Sequence, residues 1–310
     1  MGGEISTIQS LKAVDAWIDV INANINGGVR TAFKSSRLKF SGTNVDVQRA
    51  GTSTALPLQF PESGLNTANT VIDFTQGAIT ASTENSHLAI QGEGFFVICD
   101  PASVDSTGKP WSSTSMKLYL TRDGEFRTNQ QGLLVNAAGY YLLTAAVRPG
   151  GAWDIRNMRT VYNNIDSKTV PTGLSGALNL TDYLANNVQS CLMADGSAAG
   201  YNFAWSGFPT SLAKVTLGRQ NLQYTAQGST VFEFGYTSFD NASGSVAFPL
   251  LTQPVSSGEA TILNKSLEAS NASMTQSVPE LSLAQKLFSA LTKVLQTKQT
   301  NVDGVLNLVR

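Results

Sequence analysis

Two stripes of apolar residues, one near each end of the chain, repeat at alternating steps of three and four. The first runs Leu11, Val14, Ile18, Ile21 and Ile25. The second runs Leu281, Ala284, Phe288, Leu291, Leu295, Val302 and Val305, with Lys298 as its one polar intrusion. This spacing is the seam of a coiled coil or helical bundle. An isolated amphipathic helix is marginal in water, so each stripe must bury against something. Neither adjoins another long helical pattern, so the stripes bury against each other or against other copies of the chain. That points to assembly rather than catalysis, and these residues are the expected self-assembly surface.

Composition narrows the alternatives. A chain of 310 residues holds one large domain or two to three small ones. Charge is nearly balanced, at 21 basic against 22 acidic residues, with no long basic run, so nucleic acid is a poor partner. His87 is the only histidine, which removes most Ser-His-Asp, Cys-His and histidine–metal chemistry. Cys99 and Cys191 lack metal-site spacing, and a disulfide between them stays open. No apolar run is long enough for membrane insertion, and Met1-Gly2-Gly3-Glu4 is not the basic start of a secretory signal. No enzyme activity, cofactor or metal is expected.

Along the chain, Ser6 or Thr7 is the expected cap of a first helix that runs to about Asn26 and stops at Gly27-Gly28. Residues 41–70 read as an extended connector. From about Val71 the signal is β: Leu88-Ala89-Ile90, Phe95-Phe96-Val97-Ile98 and Lys117 to Thr121 are short apolar or alternating runs. Asp123-Gly124 reads as a type I′ hairpin turn. A second hairpin is expected around Asn136-Ala137-Ala138-Gly139, between Leu133-Leu134-Val135 and Tyr140 to Leu143. Val231 to Tyr236 is an alternating strand. The final helix is expected to start at a capping box, Ser277-Val278-Pro279-Glu280, and to loosen at Gly304. The resulting fold class is mainly β with N- and C-terminal α-helices: paired terminal helices plus antiparallel β-structure.

Candidate chemistry gives way to plainer readings. Gly92-Glu93-Gly94 is followed by β-type residues rather than a helix, so a tight turn is favoured over a phosphate loop. His87 has no identifiable base or ligand partner and reads as a loop-packing residue. Asp100 with Asp105, and Asp123 with Glu125, read as turn residues rather than a hydrolytic pair. Trp111, Trp153 and Trp205 offer a sugar platform in principle, with core or interface packing favoured. A secreted carbohydrate-binding module is thus the weaker alternative.

Several segments resemble the hook and rod family of bacterial flagellar axial proteins. Asp19-Val20-Ile21, Asn24-Ile25-Asn26 and Ala32-Phe33-Lys34-Ser35-Ser36-Arg37 resemble its N-terminal signature, with Ala32 where the family has glycine. Phe74-Thr75-Gln76-Gly77, Leu88 to Phe96, Tyr119 to Phe126 and Gly132 to Tyr140 resemble its β-core. Ser266-Leu267-Glu268-Ala269-Ser270-Asn271 and the helix around Gln285 resemble its C-terminal signature. The resemblance implies an inner core domain made of residues 1–40 and 266–310. It also implies a β-rich domain of residues 71–145 and 228–265, with 146–227 as a small inserted β-rich element. It implies a homo-polymeric helical tube with other flagellar axial proteins (rod, hook cap, hook–filament junction) as partners. It further implies export through the flagellum's own apparatus without a cleaved signal, and no membrane insertion. The short connector from Arg37 to Phe74 and the closing Leu306 to Arg310 favour a hook protein over a distal rod protein, against a small middle region.

Overall fold

Both heptad stripes fall on long helices at the chain ends, and the strands lie between them. In this computed structural model α1 (Gly2–Gly27) leads into β1 (Ser36–Gly42), β2 (Asp46–Arg49), β3 (Leu58–Phe60) and β4 (Leu65–Ile72). Then come β5 (Ile79–Ala81), β6 (Leu88–Gly92), β7 (Phe95–Cys99), β8 (Leu118–Thr121), β9 (Arg127–Thr128), β10 (Leu134–Val135) and β11 (Tyr141–Leu143). The middle holds β12 (Trp153–Asp154), β13 (Val161–Tyr162), β14 (Leu178–Asn179), α2 (Leu180–Leu184), β15 (Leu212–Leu217), β16 (Tyr224–Thr225) and β17 (Gly228–Glu233). The chain closes with β18 (Ser238–Asp240), β19 (Ser245–Ala247), β20 (Leu251–Pro254), β21 (Ala260–Asn264), β22 (Ser266–Glu268) and α3 (Met274–Leu308). The structure describes residues 2–42, 46–49, 51–52, 54–56, 58–60, 64–92, 94–105, 118–144, 153–154, 159–163, 177–184, 212–217, 222, 224–226, 228–233, 238–240, 245–247, 251–254 and 260–308. Cys191, Trp111 and Trp205 lie outside them.

The chain forms two compact units. One comprises Met1–Val29, Lys34–Phe74 and Ala272–Arg310, and the other Arg30–Phe33 and Thr75–Asn271. In the first, β1 pairs antiparallel with β4, Ser36 facing Ile72, with a register shift at Lys39/Phe40. β2 pairs antiparallel with β3. The stretch 41–70, expected as a connector, is therefore largely paired strand. Its β4 sequence, Leu-Asn-Thr-Ala-Asn-Thr-Val-Ile, is exposed over most of its length, so it has no apolar alternation to read.

The second unit is built on a sheet of order β16-β17-β8-β7-β11-β10-β9, with β15 also pairing with β7 and with β20. All of β7 is buried, and its Phe96 and Ile98 share a core with Leu88, Ile90, Phe126, Leu134 and Leu142. The pairs are antiparallel except β13 with β14. β15 and β16 come from the stretch 146–227, expected as a separate insert, yet they join this main sheet. Their partners are remote in sequence, as Leu212 with Phe96 shows, and local pattern does not encode such pairing. The β10–β11 pairing around Asn136 occurs as expected, with Val135 facing Tyr141.

Three local expectations are corrected. Asp123-Gly124 does not join a hairpin, since β8 pairs with β7 and β17 rather than with β9. Gly124 is not among the positive-φ glycines; instead a Cβ there would collide with the carbonyl of Leu88, whose N–H donates to Gly124 O at 3.0 Å. Ser6 and Thr7 do not cap α1 but lie inside it, buried; Ser10 Oγ donates to Ser6 O and accepts from Leu65 N, both at 2.8 Å. Finally, α3 starts before the expected capping box. The Ser273 carbonyl accepts from the amides of Gln276 (3.2 Å) and Ser277 (3.0 Å), and the Ser277 hydroxyl donates to the same oxygen. Pro279 therefore lies inside the helix rather than in its first turn, where it removes one backbone donor and crowds the carbonyl four residues before it. The helix passes through Gly304 and continues to Leu308.

A polar clasp holds together the entering and leaving segments of the β-unit. Glu268 is buried and accepts from Arg122 Nε at 3.0 Å and from the Gly77 amide at 2.9 Å. Arg122 Nη1 donates to the carbonyls of Gly92 (2.9 Å) and Gly94 (2.7 Å), and its guanidinium lies 6.0 Å from the Phe95 ring centroid. A buried ion pair of this kind holds only when its remaining hydrogen-bonding positions are filled, as they are here. Gly77 is required for the approach, since a Cβ there would strike the Ala269 carbonyl. Beside the pair, Thr31 bridges Ala269, Ala32 N donates to Glu268 O at 2.8 Å, and Asn271 N donates to Phe33 O at 3.2 Å.

Ala32 holds φ at 51°, the left-handed region where a side chain costs roughly 1–2 kcal/mol. The chain therefore makes here, with alanine, a turn that suits glycine. Ala32→Gly is expected to raise the stability of the β-unit by about 1 kcal/mol, net of the added freedom of the unfolded chain. An unchanged or lower midpoint in urea unfolding would refute this.

Asp123 ties three segments together. Its Oδ1 accepts from Thr31 Oγ1 at 3.0 Å and from the Glu125 amide at 3.1 Å, and its Oδ2 accepts from Thr230 Oγ1 at 3.4 Å. Burial pushes its carboxyl above the ordinary aspartate value, with the Glu125 charge adding to the rise and the hydrogen bonds from Glu125 N, Thr31 and Thr230 opposing it. The folded state then holds this proton more tightly than the unfolded state. Its contribution to stability falls as pH rises from the unfolded value through the raised folded one. Asp123→Asn should remove that segment from the stability–pH curve measured between about pH 4 and about pH 7. A variant curve parallel to the wild type would show that burial does not shift the group.

Candidate assembly surface

α1 is 26 residues long and α3 is 35, so they span about 39 and 52 Å. They run antiparallel: Lys298 Nζ, late in α3, donates to Thr7 Oγ1, early in α1, at 3.1 Å. At the other end of the pair, Gly28 lies beside the carbonyl of Ala272. The core of the seam is Val14, Ile21 and Ala284, each almost fully buried. Trp17, Ile18, Ile25, Leu65, Leu281 and Leu291 pack around it. Leu11 and Leu295 are half-buried.

The rest of the predicted stripe is not covered. Phe288 is 38% exposed, Val302 48% and Val305 61%. Val302 and Val305 lie beyond the Lys298–Thr7 contact, where α1 has almost run out. The seam thus has an apolar middle and a polar end made of Thr7 and Lys298. A lysine at one seam position fixes register at some expense of stability.

Heptad reading missed three things. Trp17 stacks edge to face on Phe40 of β1, ring centroids 5.6 Å apart at 86°, so α1 carries a second packed side. Asn24 serves the same side: its Nδ2 donates to Ser36 O at 2.7 Å and its Oδ1 accepts from Ser36 N at 2.8 Å. The third is an exposed stripe on α3 of Leu283, Leu287, Ala290 and Val294, at steps of four, three and four. A second heptad count, displaced by one residue from the first, would have found it.

The catalytic candidates are engaged in local structure, Glu125 N donating to Asp123 Oδ1 and His87 forming a backbone bridge with Glu125. His87 Nδ1 is 2.7 Å from Ser82 Oγ, and that hydroxyl also accepts from the Glu84 amide at 3.3 Å, which is loop packing. Asp100 caps a turn of 3-10 helix by accepting from Ala102 N at 3.0 Å, and Glu125 pairs with Arg127 on the surface. Cys99 is a buried free thiol whose pKa burial, with the Asp100 charge adding, drives far up. Among the described residues no helix is long and apolar enough to cross a membrane.

The architecture defines a class: a protein whose two chain ends form one antiparallel helix pair and whose middle is an antiparallel β-body. Known proteins resemble it in part. Residues 89–170 match the family model described as flagellar hook protein FlgE/F/G D1 domain. The flagellar hook protein FlgE of Brucella abortus is 33% identical over 128 residues, which cover 41% of this chain but only 27% of that protein. The flagellar basal-body rod protein FlgG of Bacillus subtilis is 24% identical over 98% of both chains. A solved structure, the flagellar hook protein FlgE2 of Helicobacter pylori, is 32% identical over 21% of this chain and 14% of that one, with a TM-score of 0.17. The match with that structure is too short to bear on the fold. The similarity throughout is to flagellar hook and rod proteins.

Ala284 is the narrowest point of the seam, fully buried between α1 and α3. Ala284→Leu is expected to overpack it, costing about 1–3 kcal/mol of helix pairing. Far-UV circular dichroism on heating should show the helical signal lost at lower temperature, with the β signal retained. Unchanged helix melting would mean the seam is not packed as described.

Proposed function

We propose that this chain is a structural subunit that polymerises into the tubular axial part of the bacterial flagellum, as a hook protein. The observation that carries the reading is the helix pair. Two chain ends that contribute one seam, and still leave apolar stripes exposed, suit a subunit whose burial is completed by other copies. The FlgE relatives support the hook, while the family model matched from Ala89 onward is shared by FlgE and FlgG and supports an axial subunit of either kind. In this reading the paired helices line a channel and the β-units surround it. Leu11, Val14, Ile18, Ile21, Ile25, Leu281, Ala284, Phe288, Leu291, Leu295, Val302 and Val305 are the residues on which assembly depends. The subunit does no catalysis, leaves the cell through the flagellum's own export apparatus, and meets other axial proteins at the ends of its tube.

A distal rod protein is the second reading, favoured by one observation. The match to the Bacillus subtilis rod protein runs the length of both chains, whereas the Brucella hook protein is matched over about a quarter of its length. Electron microscopy of the purified, polymerised chain separates the two. A curved tube with a central channel is the expected result; a straight tube would replace hook by rod. Failure to form any tube under conditions that polymerise hook and rod proteins would overturn both.

A further inference from the structure

We propose that subunits join by laying the open edge of α1 from one copy onto the exposed α3 stripe of the next. The inference rests on the polymerising role proposed above and names the surfaces that carry it. α3 has three faces. Leu281, Ala284, Leu291 and Leu295 meet α1 of the same chain. Next around the helix comes the exposed stripe of Leu283 (59% exposed), Leu287 (37%), Ala290 and Val294 (46%). Along the far border of that stripe stand Lys286 and Lys293, one heptad apart and exposed. The stripe therefore runs between the occupied seam and a basic edge.

α1 is also three-sided. Its seam faces α3, and one flank, with Trp17 and Asn24, meets β1. The other flank is open and exposes Ile5, Ile8, Lys12, Asp15, Asp19 and Asn22. This edge is apolar at its start and acidic in its middle. It complements the border of the α3 stripe in charge, with Asp15 and Asp19 set against Lys286 and Lys293.

Handedness decides whether one chain can satisfy both surfaces by itself. In an antiparallel pair with 3.6 residues per turn, the open edge of α1 and the α3 stripe fall on opposite sides of the plane through the two axes. They cannot meet within one subunit. Two different, complementary patches on opposite sides make a head-to-tail contact, which generates open helical arrays rather than closed dimers. The occupant of the α3 stripe is thus a second copy of this chain.

Charge reversal tests the contact without touching the seam. K286E/K293E and D15K/D19K should each keep wild-type helix content by circular dichroism. Each should raise the critical concentration for polymerisation, measured by sedimentation, by about tenfold or more. The quadruple variant, which restores opposite charges with the signs exchanged, should polymerise near the wild-type concentration. If the double variants polymerise like wild type, or the quadruple variant does not recover while wild type forms tubes, the contact is wrong and the polymerising role survives. If wild type forms no tube, the polymerising role and the contact fall together.

Discussion

The seam between α1 and α3 is the constraint on which the architecture turns. Neither helix has enough internal stabilisation to persist alone in water, and each carries an apolar stripe that needs cover. Val14, Ile21 and Ala284 provide that cover mutually, at the two extremes of the sequence. Everything between must therefore leave one helix and return to the other. The β1–β4 pair accompanies α1 through Trp17 on Phe40 and Asn24 on Ser36, stiffening one side of it. Because these neighbours occupy one flank only, the pair is left with two open surfaces of different character.

Much of this was legible from residues alone, and the limits have physical causes. Periodicity located both helices, because a seam demands side chains at fixed angular intervals and alternatives are destabilising. Helix starts were less legible. Ser277 with Glu280 has the composition of a cap, but a cap is defined by which carbonyl takes the first amides, and Ser273 takes them. Asp123-Gly124 has the composition of a hairpin turn, yet Gly124 is there because the Leu88 backbone approaches too closely for any Cβ. The joining of β15 to β7 rests on pairing between residues more than a hundred positions apart, and local pattern carries no trace of it.

The assembly stripe was legible in part. Sequence gave one register of apolar residues on α3, and the structure divides it: Ala284 and Leu291 are consumed by α1, while Val302 and Val305 extend past their cover. The overlooked register, Leu283 to Val294, is the one left exposed. Sequence alone cannot separate residues that pair within a chain from residues that pair between chains, because both obey the same spacing. Only knowing which side α1 occupies divides them.

The clasp at the mouth of the β-unit has a consequence for how the ends find each other. Joining two helices across a flexible loop of roughly 250 residues would cost on the order of 5 kcal/mol in chain entropy. The β-unit removes that loop. Once Thr31 bridges Ala269 and Arg122 holds Glu268, the unit's own first segment, Arg30–Phe33, lies beside its last residues before Ala272. With that bridge formed, the effective separation between Gly27 and Met274 shrinks to the few residues on either side of Thr31 and Ala269, and most of the closure entropy is met inside the β-unit.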